Sequence, residues 1–292
     1  MVKFNQLRRL IVLALSTSAL LFCAACADNN FPKYIQLGDL RILTLKANQS
    51  EVNPGTSGIT IQPVVSDITA GGRTLNVTIQ TCADPGISLG AAPACLVVDS
   101  NQTSSFSTST LSSNGTFTGS APTFTVNVPS SPSNYASANA NSQYNGVPYL
   151  VFYTLTSTDG TSVTAFKRII VSSPAKSSKN QNPVISSLTA NGAPLTAVNT
   201  FTSVLQNLSI AFSVSPEIYN YMNPDASIAS QAEIYTTSWF YSDGSDEFTR
   251  TTNTDPNQWT PPAAHPTGRA SVLVVITRDS RDGEDFQKYE FN

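Results

Sequence analysis

The chain has 292 residues, and its 16 basic residues (Lys or Arg) and 19 acidic residues (Asp or Glu) together make up 12% of it. Three of the basic residues and none of the acidic ones lie among the first 26, so the remainder holds 13 basic and 19 acidic residues, a net charge of −6. Nucleic acids and anionic headgroups are bound through clustered Lys and Arg, and the remainder has no such cluster. We therefore expect no nucleic-acid partner.

The first 26 residues indicate a secretory leader, because a positive start and an apolar stretch lead to small residues and a cysteine. The residues are Lys3, Arg8 and Arg9, the run 10–22, and then Cys23-Ala24-Ala25-Cys26. The apolar run is shorter than the roughly 20 residues that a permanent membrane-spanning helix needs. The order resembles a bacterial lipoprotein signal peptide, in which the cysteine after two small residues receives a diacylglycerol thioether and becomes the new N-terminus.

This resemblance implies that residues 1–25 are removed and that Cys26 carries the lipid. Cys23 is the other cysteine of the leader, but bulky Phe22 precedes it where a small residue is required. Residues 26–38 are expected to form a tether that holds the folded part away from the membrane. We expect a lipid-anchored protein of the cell envelope, with the choice between inner and outer membrane left open.

Beyond the leader the chain has two cysteines, Cys82 and Cys95. In the oxidising environment outside the cytoplasm, two cysteines 13 residues apart most simply form a disulfide. The alternatives are a metal site or a reactive thiol pair. Neither is favoured, because the sole histidine, His265, is distant in sequence and no Cys-x-x-Cys spacing occurs.

The first predicted domain, 39–173, consists of short β-branched runs separated by turn residues. Leu75, Val77 and Ile79 alternate with polar residues, which predicts a strand with one buried face. Further strands are predicted at 40–47, 59–65, 149–156 and 163–171. The last two flank Asp159-Gly160, which supplies the positive φ that a hairpin turn requires.

A segment rich in Ser, Thr and Asn, 99–145, interrupts this domain. Only Phe124, Val126 and Val128 alternate there as in a strand. We expect a long mobile insertion, because such a composition buries too little apolar area to become ordered. A ligand-contacting or glycosylated loop is the alternative.

A polar linker at 174–182 is expected to lead to a second domain, 183–292. Residues 208–214 alternate as a strand, and a hairpin through Asp282-Gly283 closes the domain. Trp239 and Tyr241 share one strand face, so Phe240 must lie on the other. If that second face were exposed, its aromatic side chain could form a platform for a sugar ring, but a packed residue is the favoured interpretation.

A weak internal repeat relates the two domains, since residues 42–48 match residues 185–191 at four of seven positions. The strand and turn patterns resemble bacterial immunoglobulin-like modules of exported lipoproteins. The residues that carry the resemblance are Arg41-Ile42-Leu43-Thr44-Leu45, Glu51-Val52-Asn53-Pro54-Gly55, Trp239, Trp259-Thr260-Pro261-Pro262 and Val274-Val275-Ile276-Thr277-Arg278-Asp279. The expected fold is all-β, with two tandem antiparallel immunoglobulin-like β-sandwiches after the signal peptide.

Catalytic, cofactor and metal sites find little support in the sequence. His265 lies between prolines in a predicted loop, and no Gly-x-Ser-x-Gly motif is present. The acidic segments 243–247 and 279–285 could offer oxygens to calcium, but Asp and Gly are also what tight β-turns require. We expect no catalytic residue, no metal and no cofactor.

These expectations describe a non-catalytic envelope protein that acts as a binding or structural module. The alternative is a surface adhesin or a carbohydrate-binding lipoprotein. In addition to the membrane, an envelope protein or a glycan is the expected partner.

Overall fold

The computed structural model describes residues 35–86, 93–112, 114–199, 208–214, 217–243, 245–246, 257–260 and 268–292. These residues are almost entirely strands and turns, with two short α-helices at Ser133–Ser137 and Ala140–Asn145 and a single 3₁₀ turn at Thr108–Thr110. The predicted signal peptide, Cys26 and His265 lie outside them. No helix among the described residues is both long and apolar enough to cross a bilayer.

Two sheets form the first sandwich. Its strands are β1 (Arg41–Ala47), β2 (Glu51–Val52), β3 (Ile59–Ser66), β4 (Thr74–Ala83), β5 (Ser100–Ser107), β6 (Thr118–Ser120), β7 (Phe124–Val126), β8 (Val147–Ser157) and β9 (Ser162–Val171). One sheet has β3 between β1 and the pair β6 and β7, and the other has the order β2-β9-β8-β4-β5. All pairs are antiparallel except the parallel pair of β2 and β9.

Alternation along the strands builds the core of this sandwich. Leu75, Val77 and Ile79 of β4 are buried in the cluster that fills the space between the two sheets, as their spacing predicts. The turn between β8 and β9 places Gly160 at a φ of +87°, and the side chain of Asp159 accepts a hydrogen bond from the Thr161 amide. Both features confirm the predicted hairpin.

Two further sheets form the second sandwich. Its strands are β10 (Ile185–Ala190), β11 (Ala193–Pro194), β12 (Val198–Asn199), β13 (Leu208–Val214), β16 (Thr236–Tyr241), β17 (Ser245–Asp246), β18 (Asn257–Thr260), β19 (Ser271–Arg278) and β20 (Glu284–Phe291). The sheet orders are β11-β10-β13-β18-β17 and β12-β20-β19-β16. A separate hairpin pairs β14 (Ile218–Met222) with β15 (Ile228–Ala232). The prediction of an all-β fold with tandem antiparallel sandwiches is confirmed.

The internal repeat has a structural counterpart. The pairing of β1 with β3 shifts register between Ile42 and Thr44, and that of β10 with β13 shifts between Ile185 and Ser187, the same two repeat positions. In each sandwich a short strand then crosses to the other sheet and pairs in parallel with its final strand, β2 with β9 and β12 with β20. The shared register shift and the shared crossing support duplication of one module.

The sheet of β16, β19 and β20 is buried on both faces. Trp239 and Tyr241 face the core of the second sandwich, as alternation predicts. Phe240 and Val274 face the first sandwich, where they join a cluster that includes Leu43 of β1. Phe240 is therefore a packed residue and offers no exposed aromatic platform.

The segment 174–182, predicted as a linker, is anchored to the fold at two residues. Lys176 and Asn180 are buried, and the Lys176 Nζ lies 2.7 Å from the Glu51 carboxylate, whereas residues 174, 175, 177, 178 and 181 are exposed. The expectation of a hydrated linker is wrong for the two buried residues, because an ion pair between distant parts of the chain compensates their polarity. The end of the predicted tether is also packed, since Leu37 is buried and its amide bonds to the Tyr241 carbonyl.

The predicted mobile insertion is also largely ordered secondary structure. It contains β5, β6 and β7, and both short helices lie within it. β5 pairs with β4 along eight consecutive residues, from Ser100 opposite Thr81 to Ser107 opposite Thr74. Backbone pairing orders this strand although few of its side chains are buried, which is why its composition predicted disorder.

Candidate functional site

A disulfide fixes one end of the sheet β2-β9-β8-β4-β5. The Sγ atoms of Cys82 and Cys95 lie 2.07 Å apart, which confirms the predicted bond. Cys82 is on the outer face of β4, where it is buried beside Leu150 and Phe152 of β8. The bond therefore holds the residues that follow Cys95 against the sheet.

Those residues form an exposed apolar surface. Leu96 is 82% exposed and Val97 is 74% exposed, while the adjacent Val98 is also exposed. We call residues 96–98 the apolar loop. Isolated exposed hydrophobic residues are ordinary, but three in succession on a disulfide-held segment mark a candidate interaction surface.

A cleft of about 540 Å³ opens beside the apolar loop. Its lining includes Leu96 and Val97 together with residues between Pro129 and Ser137. The Asn134 Nδ2 donates to the Pro148 carbonyl at 2.7 Å, while its Oδ1 is buried without a hydrogen-bond partner among the described residues.

The cleft also contains two carboxylates, and both are engaged. The Asp84 carboxylate accepts from Arg168 at 3.1 Å and from the Gly86 amide at 2.9 Å. The Asp99 carboxylate accepts from the Tyr149 hydroxyl at 3.0 Å. Burial raises the pKa of Tyr149 to about 12, so this hydroxyl stays protonated and keeps donating at physiological pH. Both carboxylates of the described lining therefore accept hydrogen bonds from other residues of the chain.

The acidic segment 279–285, weighed above as a calcium site, makes protein contacts instead. The Asp279 Oδ1 accepts from the amides of Arg281 and Gly283. Glu284 pairs with Lys167 at 2.9 Å, and Asp285 pairs with Lys46 at 2.6 Å. These ion pairs join the second sandwich to the first. In the hairpin turn itself, Asp282 is the residue with a positive φ.

The other acidic segment is described only in part. Asp243 pairs with Arg269 at 2.6 Å, whereas Gly244 and Glu247 lie outside the described residues. Throughout the described part of the chain, no group of three or more His, Cys, Asp or Glu side chains is placed to hold a metal ion.

The disulfide was predictable from the sequence, whereas the apolar loop and the cleft were not among the expectations. The available signal was the run Leu96-Val97-Val98, which directly follows Cys95 and directly precedes the polar segment 99–145. The approach of residues 129–137 to that loop had no sequence signal, because it depends on how the chain returns from β7 to β8.

No family model matches the chain, and no curated protein matches it. The solved structures that match include red sea bream transglutaminase, at 9% identity and a TM-score of 0.27 over 88% of this chain. They also include latent PorU from Porphyromonas gingivalis, at 8% identity and a TM-score of 0.25 over 88% of this chain. A third is Spo0M from Bacillus subtilis, at 11% identity and a TM-score of 0.24, covering 87% of this chain and 91% of Spo0M. The chain spans 32% of the transglutaminase and 24% of PorU, and these likenesses are too slight to carry a functional argument.

Proposed function

We propose that this protein is a lipid-anchored, non-catalytic component of the cell envelope that acts as a binding module through immunoglobulin-like sandwiches. The anchor rests on the leader sequence that ends at Cys26. Two or more acyl chains hold a protein stably on a membrane, whereas a single chain does so only marginally.

The observation that carries the binding role is the apolar loop beside its cleft. Leu96 and Val97 expose most of their surface to water, yet the adjacent disulfide and the Tyr149–Asp99 hydrogen bond hold the loop in place. A pre-organised apolar surface loses little conformational entropy on binding, so it favours contact with a partner protein of the envelope.

The non-catalytic part of the proposal rests on the state of the polar groups in the cleft. Asp84 is neutralised by Arg168, and Asp99 accepts from a hydroxyl that stays protonated. General acid or base catalysis needs a group that can exchange a proton with a substrate, and these carboxylates already have partners.

Site-specific cross-linking in intact cells tests the binding role. A photoreactive amino acid at Leu96 is expected to give one discrete adduct. The same amino acid at Thr158, an exposed residue on the β8–β9 turn, is expected to give no adduct. Val97→Asp should abolish the Leu96 adduct by placing a charge in the contact. Equal adducts from both positions would contradict a specific partner.

Fractionation of cells tests the anchor separately. Cys26→Ser should release the protein from the membrane fraction, whereas Cys23→Ser should leave it there. Retention of the Cys26→Ser variant would contradict the assignment of the lipidated residue.

A further inference from the structure

The outer face of the sheet β2-β9-β8-β4-β5 carries a regular array of mostly polar side chains. On this face, residues directly opposite one another on β9, β8, β4 and β5 form three rows. The rows are Ser162-Thr156-Asn76-Ser105, Thr164-Thr154-Thr78-Thr103 and Phe166-Phe152-Gln80-Asn101. We call these twelve residues the threonine face, after the middle row, in which four threonines stand side by side across four strands.

No charged side chain interrupts the threonine face. Charges begin only at its ends, where Arg168 pairs with Asp84 beyond one outer row and Arg73 pairs with Asp159 beyond the other. The chain is poor in charge everywhere, so absence of charge alone would identify nothing. The distinctive feature is a set of ten hydroxyl and amide side chains with two phenylalanines, the exposed Phe166 and the buried Phe152, at one corner.

The hydroxyl groups are ordered by contacts between strands. The Thr154 and Thr164 hydroxyls lie 2.9 Å apart, and those of Thr156 and Ser162 lie 3.2 Å apart. Neighbouring strands are about 4.8 Å apart, and successive residues on one face are roughly 6.8 Å apart along a strand. The face therefore presents donors and acceptors at regular intervals over an area of about 14 Å by 14 Å.

An aromatic ring stands at the edge of this array. Phe166 is 39% exposed, and its ring centroid lies 6.2 Å from that of the buried Phe152. The Arg168 guanidinium lies 4.9 Å from the Phe166 ring centroid, so the ring is held from two sides. Its remaining exposed surface can pack against apolar C–H groups of a ligand.

The chemistry of the face selects among classes of ligand. Nucleic acids and acidic glycans need cations, which the twelve positions lack. A partner protein needs an apolar centre, whereas here the central row is hydroxyl. Hydroxyl and amide groups donate and accept at once, as sugar hydroxyls do, and a pyranose ring also has an apolar C–H face.

We propose that the threonine face binds a neutral polysaccharide, with Thr78 and Thr154 at its centre and Phe166 under one sugar ring. This site goes beyond the proposed contact through the apolar loop, because it is a separate surface with a different class of ligand. A long neutral polymer can use all three rows at once, which a single sugar cannot.

Calorimetry with neutral and charged oligosaccharides tests the proposal. The full chain is purified in a detergent that has no sugar headgroup and titrated with hexamers of β-1,4-glucan, α-1,4-glucan and β-1,4-mannan, and with oligogalacturonate. At least one neutral hexamer is expected to bind, and more tightly than the charged one. Thr78→Val/Thr154→Val should weaken that binding about tenfold or more, because hydrogen bonds are lost without change of shape.

The chain offers a matched control on the other sheet of the same sandwich. Thr60 and Thr125 are also directly opposite each other, on β3 and β7. Thr60→Val/Thr125→Val should leave the affinity unchanged, and both double variants should keep the unfolding temperature of the wild type within a few degrees. Phe166→Ala should weaken binding independently of the threonines.

Four outcomes would overturn the proposal: no neutral hexamer binds, the charged glycan binds best, both threonine pairs matter equally, or Thr78→Val/Thr154→Val abolishes self-association of the protein instead. The last outcome would make the face a contact between copies of the chain. A discrete Leu96 adduct together with failure to bind any glycan would leave the proposed function standing and refute only this site.

Discussion

Replacing Lys176 tests whether the segment between the two sandwiches is structural. The Lys176 Nζ lies 2.7 Å from the Glu51 Oε1, and both side chains are at most 2% exposed. The other carboxylate oxygen accepts from the Asn180 amide at 2.7 Å, and Arg281 lies 3.4 Å away. Lys176→Met keeps the aliphatic stem but removes the ammonium group, so a buried carboxylate loses its nearest cation.

Breaking a buried ion pair by removing one partner costs about 3–5 kcal/mol. Because Arg281 and the Asn180 amide remain beside the Glu51 carboxylate, we expect Lys176→Met to cost about 3 kcal/mol, the lower end of that range. In the double variant Lys176→Met/Glu51→Gln, neither charge of the pair remains buried. The free energy of unfolding that the double variant loses should therefore be smaller than the sum of the losses in the two single variants.

Urea unfolding of the purified protein, monitored by tryptophan fluorescence, measures these losses. The comparison variant is Lys46→Met, because the Lys46 side chain is 31% exposed although that of its partner Asp285 is only 9% exposed, so we expect its loss to cost less than that of Lys176. If Lys176→Met changed stability by less than Lys46→Met, the segment would behave as the solvated linker that its composition predicts, and our reasoning on its burial would be refuted.

Three further changes have expected outcomes. Cys82→Ser/Cys95→Ser should lower the free energy of unfolding by about 3 kcal/mol, by the loop-closure estimate, and should make the urea midpoint insensitive to reductant. Burial alone would raise the pKa of Glu290, but the hydrogen bonds that its carboxylate accepts lower the pKa below the ordinary value of 4.5. Its stabilising contribution is therefore complete above pH 4.5 and lost as the pH falls below it, so the stability gap between wild type and Glu290→Gln should narrow on acidification from pH 7 to pH 3. Phe240→Ala should cost about 3–5 kcal/mol because the ring is buried between the sandwiches, whereas Phe166→Ala, at an exposed ring, should cost much less.

Period-two alternation made the strands predictable from the sequence. Leu75, Val77 and Ile79 predict both the existence of β4 and its buried face, and the structure agrees with both. The three consecutive aromatics at 239–241 predict two opposite faces for the same physical reason. These features are local, because the pleat fixes where neighbouring side chains point whatever the rest of the chain does.

The features that sequence could not predict depend on partners far along the chain. Glu51 and Lys176 are separated by 125 positions, and nothing in either local sequence indicates that they meet. The polar strand β5 has the composition of a loop, and only its pairing with β4 makes it a strand. Composition predicts disorder where side chains cannot bury apolar area. It contains no information about the backbone hydrogen bonds that an adjacent strand supplies.

The stacking of the sheets explains where a ligand could bind. Apolar clusters fill the space inside each sandwich and also the space between them, so the two middle sheets are covered on both faces. In the described part of the chain, the two outermost sheets of the sandwiches are the ones left with a broad face that apolar clusters do not cover. Of these, the sheet β2-β9-β8-β4-β5 has the threonine face at its centre and the disulfide with the apolar loop at one end. The threonine face and the apolar loop lie on the same sheet but are separate surfaces. Substitutions in the threonine face should therefore remove glycan binding without removing the Leu96 adduct, and Val97→Asp should do the reverse.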